Sequence, residues 1–229
     1  MQQIGGSGVI ISGWPAVWRV RAPDHTLDPV TPAERMTITR IRQLGDPILR
    51  VRCELVKDTR AMATRLVVAD LRETLRDFRE RHGFGRGIAA PQIGAPLRIA
   101  YVEMQGEELV LINPEIVDVG HEDFEVWDDC FSFPDLYVRV MRAHHIRVRY
   151  LDLEGAPREL EAVGDRAELL QHELDHLDGV LAVDRATGPD PFCLRSEWTR
   201  RYAAAGRYGP PVPRAFDYVS HPAELGSPG

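Results

Sequence analysis

Two histidines, His172 and His176, carry the strongest potential for metal chemistry in this sequence. They belong to an HExxH segment that reads His172-Glu173-Leu174-Asp175-His176. A spacing of four places both imidazoles on one face of a helix, where they can chelate one divalent metal, and it places Glu173 beside that metal as a base. A chance HExxH on a solvated helix is the competing interpretation. The pattern therefore needs a third protein ligand to support it.

Three kinds of third ligand can be compared. A metzincin motif requires a histidine where this chain has Ala182. A thermolysin-like site would use a downstream glutamate, for which Glu197 is the candidate. Cys130, upstream of the histidines, offers a soft thiolate, and a thiolate with two imidazoles suits Fe(II), Zn(II), Ni(II) or Co(II). A buried structural cysteine is the alternative role for Cys130.

Three ordered segments resemble the signatures of the peptide deformylases. The first is GRGIAAPQ at residues 85–92, the second is Cys130 with Ser132, and the third is QHELDHL at residues 171–177. GDPILR at residues 45–50 and INP at residues 112–114 also look like family sequence in the right order. The resemblance covers about residues 40–190, and three ordered motifs are more specific than HExxH alone.

The resemblance implies a catalytic role for each matching residue. It implies one metal ion per chain, with Fe(II) first and Zn(II), Ni(II) or Co(II) as alternatives, held by Cys130, His172 and His176. Glu173 would be the general acid/base, and Gln92 would face the substrate carbonyl. The backbone N–H of Phe131 is a further candidate donor to the oxygen on which negative charge develops. A divalent ion lowers the pKa of a bound water from near 16 toward about 7, so Glu173 can take its proton and later pass it to the leaving amine.

The substrate-binding residues are expected in the same segments. Gly85 and Gly87 would let a peptide approach as it does in edge-strand recognition. Arg86 and Asp129 stand where the family has a small aliphatic residue and a glycine, and Leu169 lies on the face of the histidines. An Arg86–Asp129 salt bridge at the pocket rim would leave the metal chemistry intact but change the substrate.

Two acidic residues near the HExxH helix have a simpler interpretation. Asp165 and Glu168 form a D-x-x-E arrangement at a helix start, which is typical of capping, so we expect them to cap the helix rather than to line the pocket.

The predicted function is removal of the N-formyl group from the N-terminal methionine of newly synthesised proteins, with release of formate. The expected partner is an N-formylated peptide or nascent chain, with ribosome association as a further expectation. Two alternatives stay open. One is a deformylase of the same mechanism that acts on a different formamide, and the other is a catalytically silent relative that only binds a partner.

The predicted fold class is α+β, with short antiparallel β-sheets packed around a central HExxH helix, an N-terminal helix of the core and flexible tails. Apolar residues at helical spacing predict a helix over Arg60–His82, and a second helix is expected to begin after Gly164 and to run to about Asp178. Residues rich in β-branched and aromatic side chains predict strands over 97–103, 108–112, 115–119, 137–140 and 144–151.

The chain is predicted to have one catalytic domain between two extensions. Residues 1–40 are rich in Gly and Pro and indicate an arm or tail. Residues 41–190 form the catalytic domain. Residues 191–229 form a C-terminal extension, with a short helix around Arg195–Ala205 followed by a disordered end.

Composition narrows the class of protein. With 44% hydrophobic and 28% charged residues in 229, the chain is globular rather than disordered or fibrous. The net charge of -7 and the absence of an uncompensated Lys/Arg cluster argue against nucleic-acid binding. No apolar run approaches the roughly 20 residues that cross a bilayer, so no membrane association is expected. Three widely separated cysteines indicate a reducing cytoplasm rather than a disulfide framework.

Overall fold

The computed structural model describes residues 38–104 and 106–201, and across these residues the chain forms an α+β fold, as predicted. Its α-helices are α1 (Met62–His82), α2 (Asp165–Leu177) and α3 (Arg195–Arg201). Its strands are β1 (Gly87–Ala89), β2 (Ile99–Met104), β3 (Glu107–Val119), β4 (Asp123–Asp129), β5 (Leu136–Ala143), β6 (His145–Leu151), β7 (Pro157–Val163) and β8 (Phe192–Leu194). Short 3-10 turns cover Pro47–Arg50, Ala90–Ile93 and Ala182–Arg185.

The described strands form two antiparallel sheets. One sheet has five strands in the order β1-β2-β3-β6-β7, and the other has three in the order β4-β5-β8. Strand β1 is an edge strand, and its residues Gly87 and Ala89 lie opposite Val102 and Ala100 of β2. One edge of β1 therefore has no neighbouring strand in the described five-stranded sheet.

Helix α1 covers the five-stranded sheet with the face that its apolar spacing predicts. Leu71, Leu75 and Phe78 are buried, but the buried valine is Val68 rather than Val67, which packs only partly against the core. The helix ends as predicted, because Gly83 adopts the left-handed conformation at φ 74° and its N–H bonds the carbonyl of Arg79.

Helix α2 lies at the centre of the fold and contacts β1, β2, β5 and β7. Leu170 and Leu174 pack with Ile146 of β6 in one apolar cluster. His172 and His176 of the same helix are buried as well. A helix between two sheets has almost no solvent-facing side.

Several strands differ from the predicted ones. The segments predicted at 108–112 and 115–119 form the single strand β3, with a register shift between Ile112 and Glu115. Asn113 lies in this interruption with a φ of 51°, and Pro114 has no N–H to donate to a neighbouring strand. Strands β1, β4, β7 and β8 were not predicted.

The predicted extensions fall mostly on residues 1–37 and 202–229, which lie outside the described residues. Within the described part, α3 (Arg195–Arg201) occupies the first part of the helix predicted over Arg195–Ala205. None of the described helices is long and apolar enough to span a membrane.

Candidate metal centre

Three buried side chains converge on one point. Cys130 follows directly after β4, and His172 and His176 lie one turn apart on α2. Cys130 Sγ is 3.2 Å from His176 Nε2, which is 3.2 Å from His172 Nε2. An ion bonded to nitrogen at about 2.1 Å and to sulfur at about 2.3 Å in a tetrahedral site brings its ligands to about 3.5 Å apart. The distances and the donor set therefore fit one divalent transition-metal ion.

The other third-ligand candidates lie elsewhere. Glu197 is on α3, where its carboxylate bonds Arg200, and Ala182 begins a 3-10 turn. Among the described residues, the group of His, Cys, Asp and Glu side chains close enough to hold a metal is Cys130, His172 and His176.

Asp128 orients the first histidine from behind. Its Oδ1 lies 2.9 Å from His172 Nδ1, and its Oδ2 accepts a hydrogen bond of 2.7 Å from Arg142. Arg142 also donates to Asp175 at 2.6 Å. A carboxylate at Nδ1 fixes the ring so that Nε2 faces the metal position.

The electrostatics of the two histidines favour a cation at this position. Burial opposes a charged imidazole, but Asp128 and Cys130 hold the pKa of His172 well above its ordinary value. Burial and the charge of His172 lower the pKa of His176 well below its ordinary value, which keeps the second ring neutral. The site thus attracts one positive charge, and a metal ion can supply that charge in place of a proton.

We expect Asp128→Asn to weaken metal binding about 10- to 100-fold, because it removes the charged partner of a ligand histidine without removing a ligand. Competition with a chelator measures this change. Asp123→Asn, on the exposed start of the same strand, is the matched control and should bind metal as the unaltered protein does. Equal affinities in the two variants would contradict the role of Asp128.

Gln92 is fixed beside the thiolate. It lies in the 3-10 turn after β1, and its Oε1 accepts a hydrogen bond of 2.8 Å from the N–H of Ala89. Its Nε2 therefore faces Ser132 Oγ at 3.3 Å and Cys130 Sγ at 3.5 Å. The orientation of the amide is set by these three contacts, so its N–H₂ group is directed toward the candidate metal centre.

Glu173 is buried between α2 and β1. Burial raises the pKa of its carboxyl group to about 7. A Cβ atom at Gly87 would lie 2.5 Å from Glu173 Oε1, so the carboxylate packs directly against the backbone of the edge strand. Glycine is needed at position 87 because any larger residue would displace this carboxylate.

An open cavity, with about 330 Å³ of space that includes part of the open solvent, lies beside Cys130 and His172. Every residue that the sequence predicted for substrate binding lines it, as do Glu173, Gln92, Cys130 and His172. The predicted substrate-binding residues are Gly85, Arg86, Gly87, Asp129 and Leu169. The predicted ligand His176 is not among the described residues that line the cavity.

Phe131 is held in the cavity wall by aromatic packing. Its ring stacks on Phe78 of α1 at a centroid distance of 3.9 Å. Gly85 passes over the same ring with a φ of 131°, and a Cβ there would lie 2.5 Å from Phe131 Cζ. The backbone of Phe131, including the N–H predicted as a donor, is therefore positioned by its own side chain.

The charged residues of the cavity wall have partners that the sequence did not suggest. Arg86 donates to Glu168 Oε2 at 2.8 Å, and both side chains are almost fully buried. Asp129 accepts a hydrogen bond from Arg195. Burial opposes the charge on Arg86, but Glu168, and more weakly Asp129, keep its pKa above its usual value. The direct Arg86–Asp129 salt bridge stays a prediction.

The capping interpretation of Glu168 is wrong. Gly164 is the N-cap of α2, Asp165 is the first helical residue, and the Glu168 side chain is buried in the cavity wall. Glu168 lies one turn before His172, so the helical spacing of 168, 172 and 176 was the signal that could have placed it beside the site. Asp128 could have been placed near the site by its closeness in sequence to Cys130, which it precedes by two residues.

Breaking the Arg86–Glu168 pair should destabilise the fold. We expect Glu168→Ala to lower the free energy of unfolding by about 3–5 kcal/mol, because it leaves a buried guanidinium without this carboxylate. The double variant Arg86→Met, Glu168→Leu should recover most of that loss, since it removes both charges. Denaturant unfolding measures both changes.

The matched control for this pair is Glu115→Ala, which breaks the exposed ion pair with Arg149. An exposed pair contributes about 0–1 kcal/mol, so the control should be nearly neutral. A Glu168→Ala variant as stable as this control would contradict the proposed importance of the buried pair.

The fold and the site together define a class of protein. A central HExxH helix brings two imidazoles together with a distant thiolate, beside a buried glutamate and an open cavity, which is the arrangement of a metal-dependent hydrolase.

Similarity to known proteins identifies the family within this class. A sequence model of the polypeptide deformylase family matches residues 38–191. Peptide deformylase from Dictyoglomus thermophilum is 40% identical over 151 residues, which is 65% of this chain and 93% of that protein. The crystal structure of peptide deformylase from Thermotoga maritima superposes with a TM-score of 0.62 at 34% identity, over 66% of this chain and 99% of that one. The chain belongs to the peptide deformylase family, which is metal-dependent.

A second similar structure contains a peptide. It is a Met-Ala-Ser-bound peptide deformylase of class I type b from Acinetobacter baumannii, with a TM-score of 0.59 and 30% identity, over 66% of this chain and 99% of that one.

Proposed function

We propose that this enzyme removes the N-formyl group from the N-terminal methionine of newly synthesised proteins and releases formate. The observation that carries the proposal is the convergence of Cys130, His172 and His176 beside Glu173 and Gln92, in a chain of the peptide deformylase family. The Met-Ala-Ser bound to the Acinetobacter baumannii relative has the sequence of a deformylated N-terminus, which supports a methionyl substrate.

The metal of this site is proposed to be one Fe(II) ion per chain, with Zn(II), Ni(II) and Co(II) as alternatives, held by Cys130, His172 and His176. A mixed thiolate and imidazole donor set accepts each of these ions, so the preference for iron comes from family resemblance. When bound, the ion polarises the carbonyl and lowers the pKa of a water molecule.

Gln92 and Phe131 are proposed to bind the formyl oxygen. The Gln92 amide is held by Ala89, so its N–H₂ group needs no reorientation when negative charge develops on that oxygen. The backbone N–H of Phe131 is fixed by the ring packing of its side chain. Fixed donors of this kind stabilise a developing charge without a reorganisation cost.

Glu173 is proposed to move the proton. A carboxyl group with a pKa of about 7 can both accept and release a proton near neutral pH, which is what a general acid/base requires. Its carboxylate takes a proton from the attacking water and returns it to the amine nitrogen that leaves. The buried position of Glu173 excludes bulk water, which would otherwise compete for this proton.

The peptide backbone is proposed to bind along β1. This strand ends one side of the five-stranded sheet, so its free edge can pair with an extended substrate. The methionine side chain would then enter the cavity beside Gly85, Arg86, Gly87, Asp129 and Leu169.

The test is formate release from formyl-Met-Ala-Ser, with a simple formamide that lacks the peptide as the comparison substrate. We expect turnover of the peptide and much slower turnover of the formamide. The similar proteins named above do not favour a different formamide. Faster release from the simple formamide would support that alternative, and no release by the metal-loaded protein would support a silent relative.

We further propose a cytoplasmic location and action on nascent chains at the ribosome. The three cysteines of the chain, Cys53, Cys130 and Cys193, are too few and too widely separated for a disulfide framework, which suits a reducing compartment. Formylated N-termini emerge at the ribosome, so association with it would bring the enzyme to its substrate. Residues 41–190 are proposed as the catalytic domain, supported by the family match over residues 38–191.

A further inference from the structure

Arg195 connects the C-terminal segment to the cavity wall. It lies after the part of the chain that matches the family, at the first position of α3. Its guanidinium donates to the carbonyl of Pro134 at 2.7 Å, to Tyr137 Oη at 2.7 Å and to Asp129 Oδ2. One side chain thus bonds three separate groups within residues 129–137, the region that contains the candidate ligand Cys130 and leads into β5.

The same guanidinium lies between two aromatic rings. Its Cζ is 3.7 Å from the centroid of Phe84 and 4.5 Å from the centroid of Tyr137. Contacts of this kind between a cation and a ring face contribute more when they are partly desolvated, and the Arg195 side chain is only 15% exposed. Phe84 and Asp129 both line the cavity. Arg195 therefore contacts the outer side of two cavity-wall residues.

The position of Arg195 is fixed by its own segment. The backbone N–H of Arg195 bonds the carbonyl of Asp135 at 2.8 Å, and β8 pairs with β5 through Leu194 and Leu136. Trp198 of α3 also packs on Tyr137 at a centroid distance of 4.7 Å. These contacts make the segment an integral part of the described fold.

We propose that Arg195 is a positioning residue of the substrate cavity, so that the active site extends beyond the family match into the C-terminal segment. Arg195 holds the Phe84 ring in place and balances the charge of Asp129. The cavity wall already carries the carboxylates of Glu168 and Glu173. Additional negative charge in this wall would oppose binding of the peptide carbonyl oxygen and of formate. This role rests on the proposed deformylase function.

The test compares steady-state kinetics of variants with formyl-Met-Ala-Ser. We expect Arg195→Met to raise KM about tenfold, as loss of a charge-assisted hydrogen bond does, with a much smaller change in kcat. Metal content should not change, because Arg195 contacts no candidate ligand. Arg200→Met is the matched control, because it removes an exposed arginine of the same helix, which bonds Glu197 of that helix. Its kinetics should equal those of the unaltered enzyme.

A double variant distinguishes a positioning role of Arg195 from a role in folding alone. Combining Asp129→Asn with Arg195→Met should bring the raised KM part of the way back to that of the unaltered enzyme, because the double variant also removes the charge that Arg195 balances. A structural role alone predicts that the double variant recovers stability in denaturant unfolding without a change in KM, so a double variant with a KM as high as that of the single variant overturns the proposal. An Arg195→Met variant with unchanged KM also overturns it. In both cases the unaltered enzyme still releases formate, whereas failure of the unaltered enzyme to do so overturns the proposed function itself.

Discussion

Replacing Glu173 with alanine is expected to lower the turnover of a formyl-methionyl peptide about 100- to 10,000-fold, which is the usual contribution of a positioned general acid/base. Metal content should stay at the level of the unaltered protein, because Cys130, His172 and His176 are all retained. Formate release measures turnover, and elemental analysis of the same preparation measures the metal.

The free energy of unfolding provides an independent check on Glu173. Its carboxyl group is buried, and burial raises its pKa to about 7, so the ionised form is unfavourable in the folded protein. Glu173→Gln keeps the shape and removes this cost. We expect that variant to be inactive but at least as stable as the unaltered protein.

The matched control is Glu161→Gln, which removes the same charge from an exposed position on β7. It should keep full turnover. If Glu173→Ala kept turnover within tenfold of this control, proton transfer would have to be assigned to another group.

The histidine pair was predictable because its geometry is local. A spacing of four on a helix brings His172 and His176 to one face whatever the rest of the chain does. Cys130 has no such relation to them in the sequence. Its approach depends on where β4 ends relative to α2, which only the family resemblance could anticipate.

The partners of the charged cavity residues were not predictable either, because the paired residues lie far apart in the sequence. Arg86 and Glu168 are 82 positions apart, and Asp129 and Arg195 are 66 apart. The chain has 28 Lys and Arg residues and 35 Asp and Glu residues, so composition leaves many pairings open. Tertiary structure alone selects among them.

The strands were predicted where side chains carry a β signal and missed where they do not. Strand β6, in which Ile146 and Val148 alternate with arginines, was predicted from the sequence. Strand β1 consists of Gly87, Ile88 and Ala89, two of which have low β propensity. Gly87 packs against the Glu173 carboxylate, where a Cβ would lie 2.5 Å from Oε1, so contact with a candidate catalytic residue removes part of the β signal of this strand.

Replacing Cys130 with alanine is expected to remove the metal and, with it, at least as much turnover as Glu173→Ala does. Two imidazoles alone rarely hold a catalytic ion, because the site needs three protein donors. The measurement is the metal content per chain after anaerobic purification, which also identifies the native ion. Thermal unfolding of the same variant tests whether the fold is retained.

Cys53→Ala is the control that makes this experiment specific for ligation. Cys53 is buried like Cys130, but it packs with Ala89 and Leu177 in a separate apolar cluster and does not line the cavity. Burial raises the pKa of its thiol to about 11, so it stays protonated at neutral pH and is a poor metal ligand. Truncating either cysteine removes a similar buried volume, so a structural role for Cys130 predicts similar stability losses and full metal content in both variants. Ligation predicts that only Cys130→Ala loses the ion.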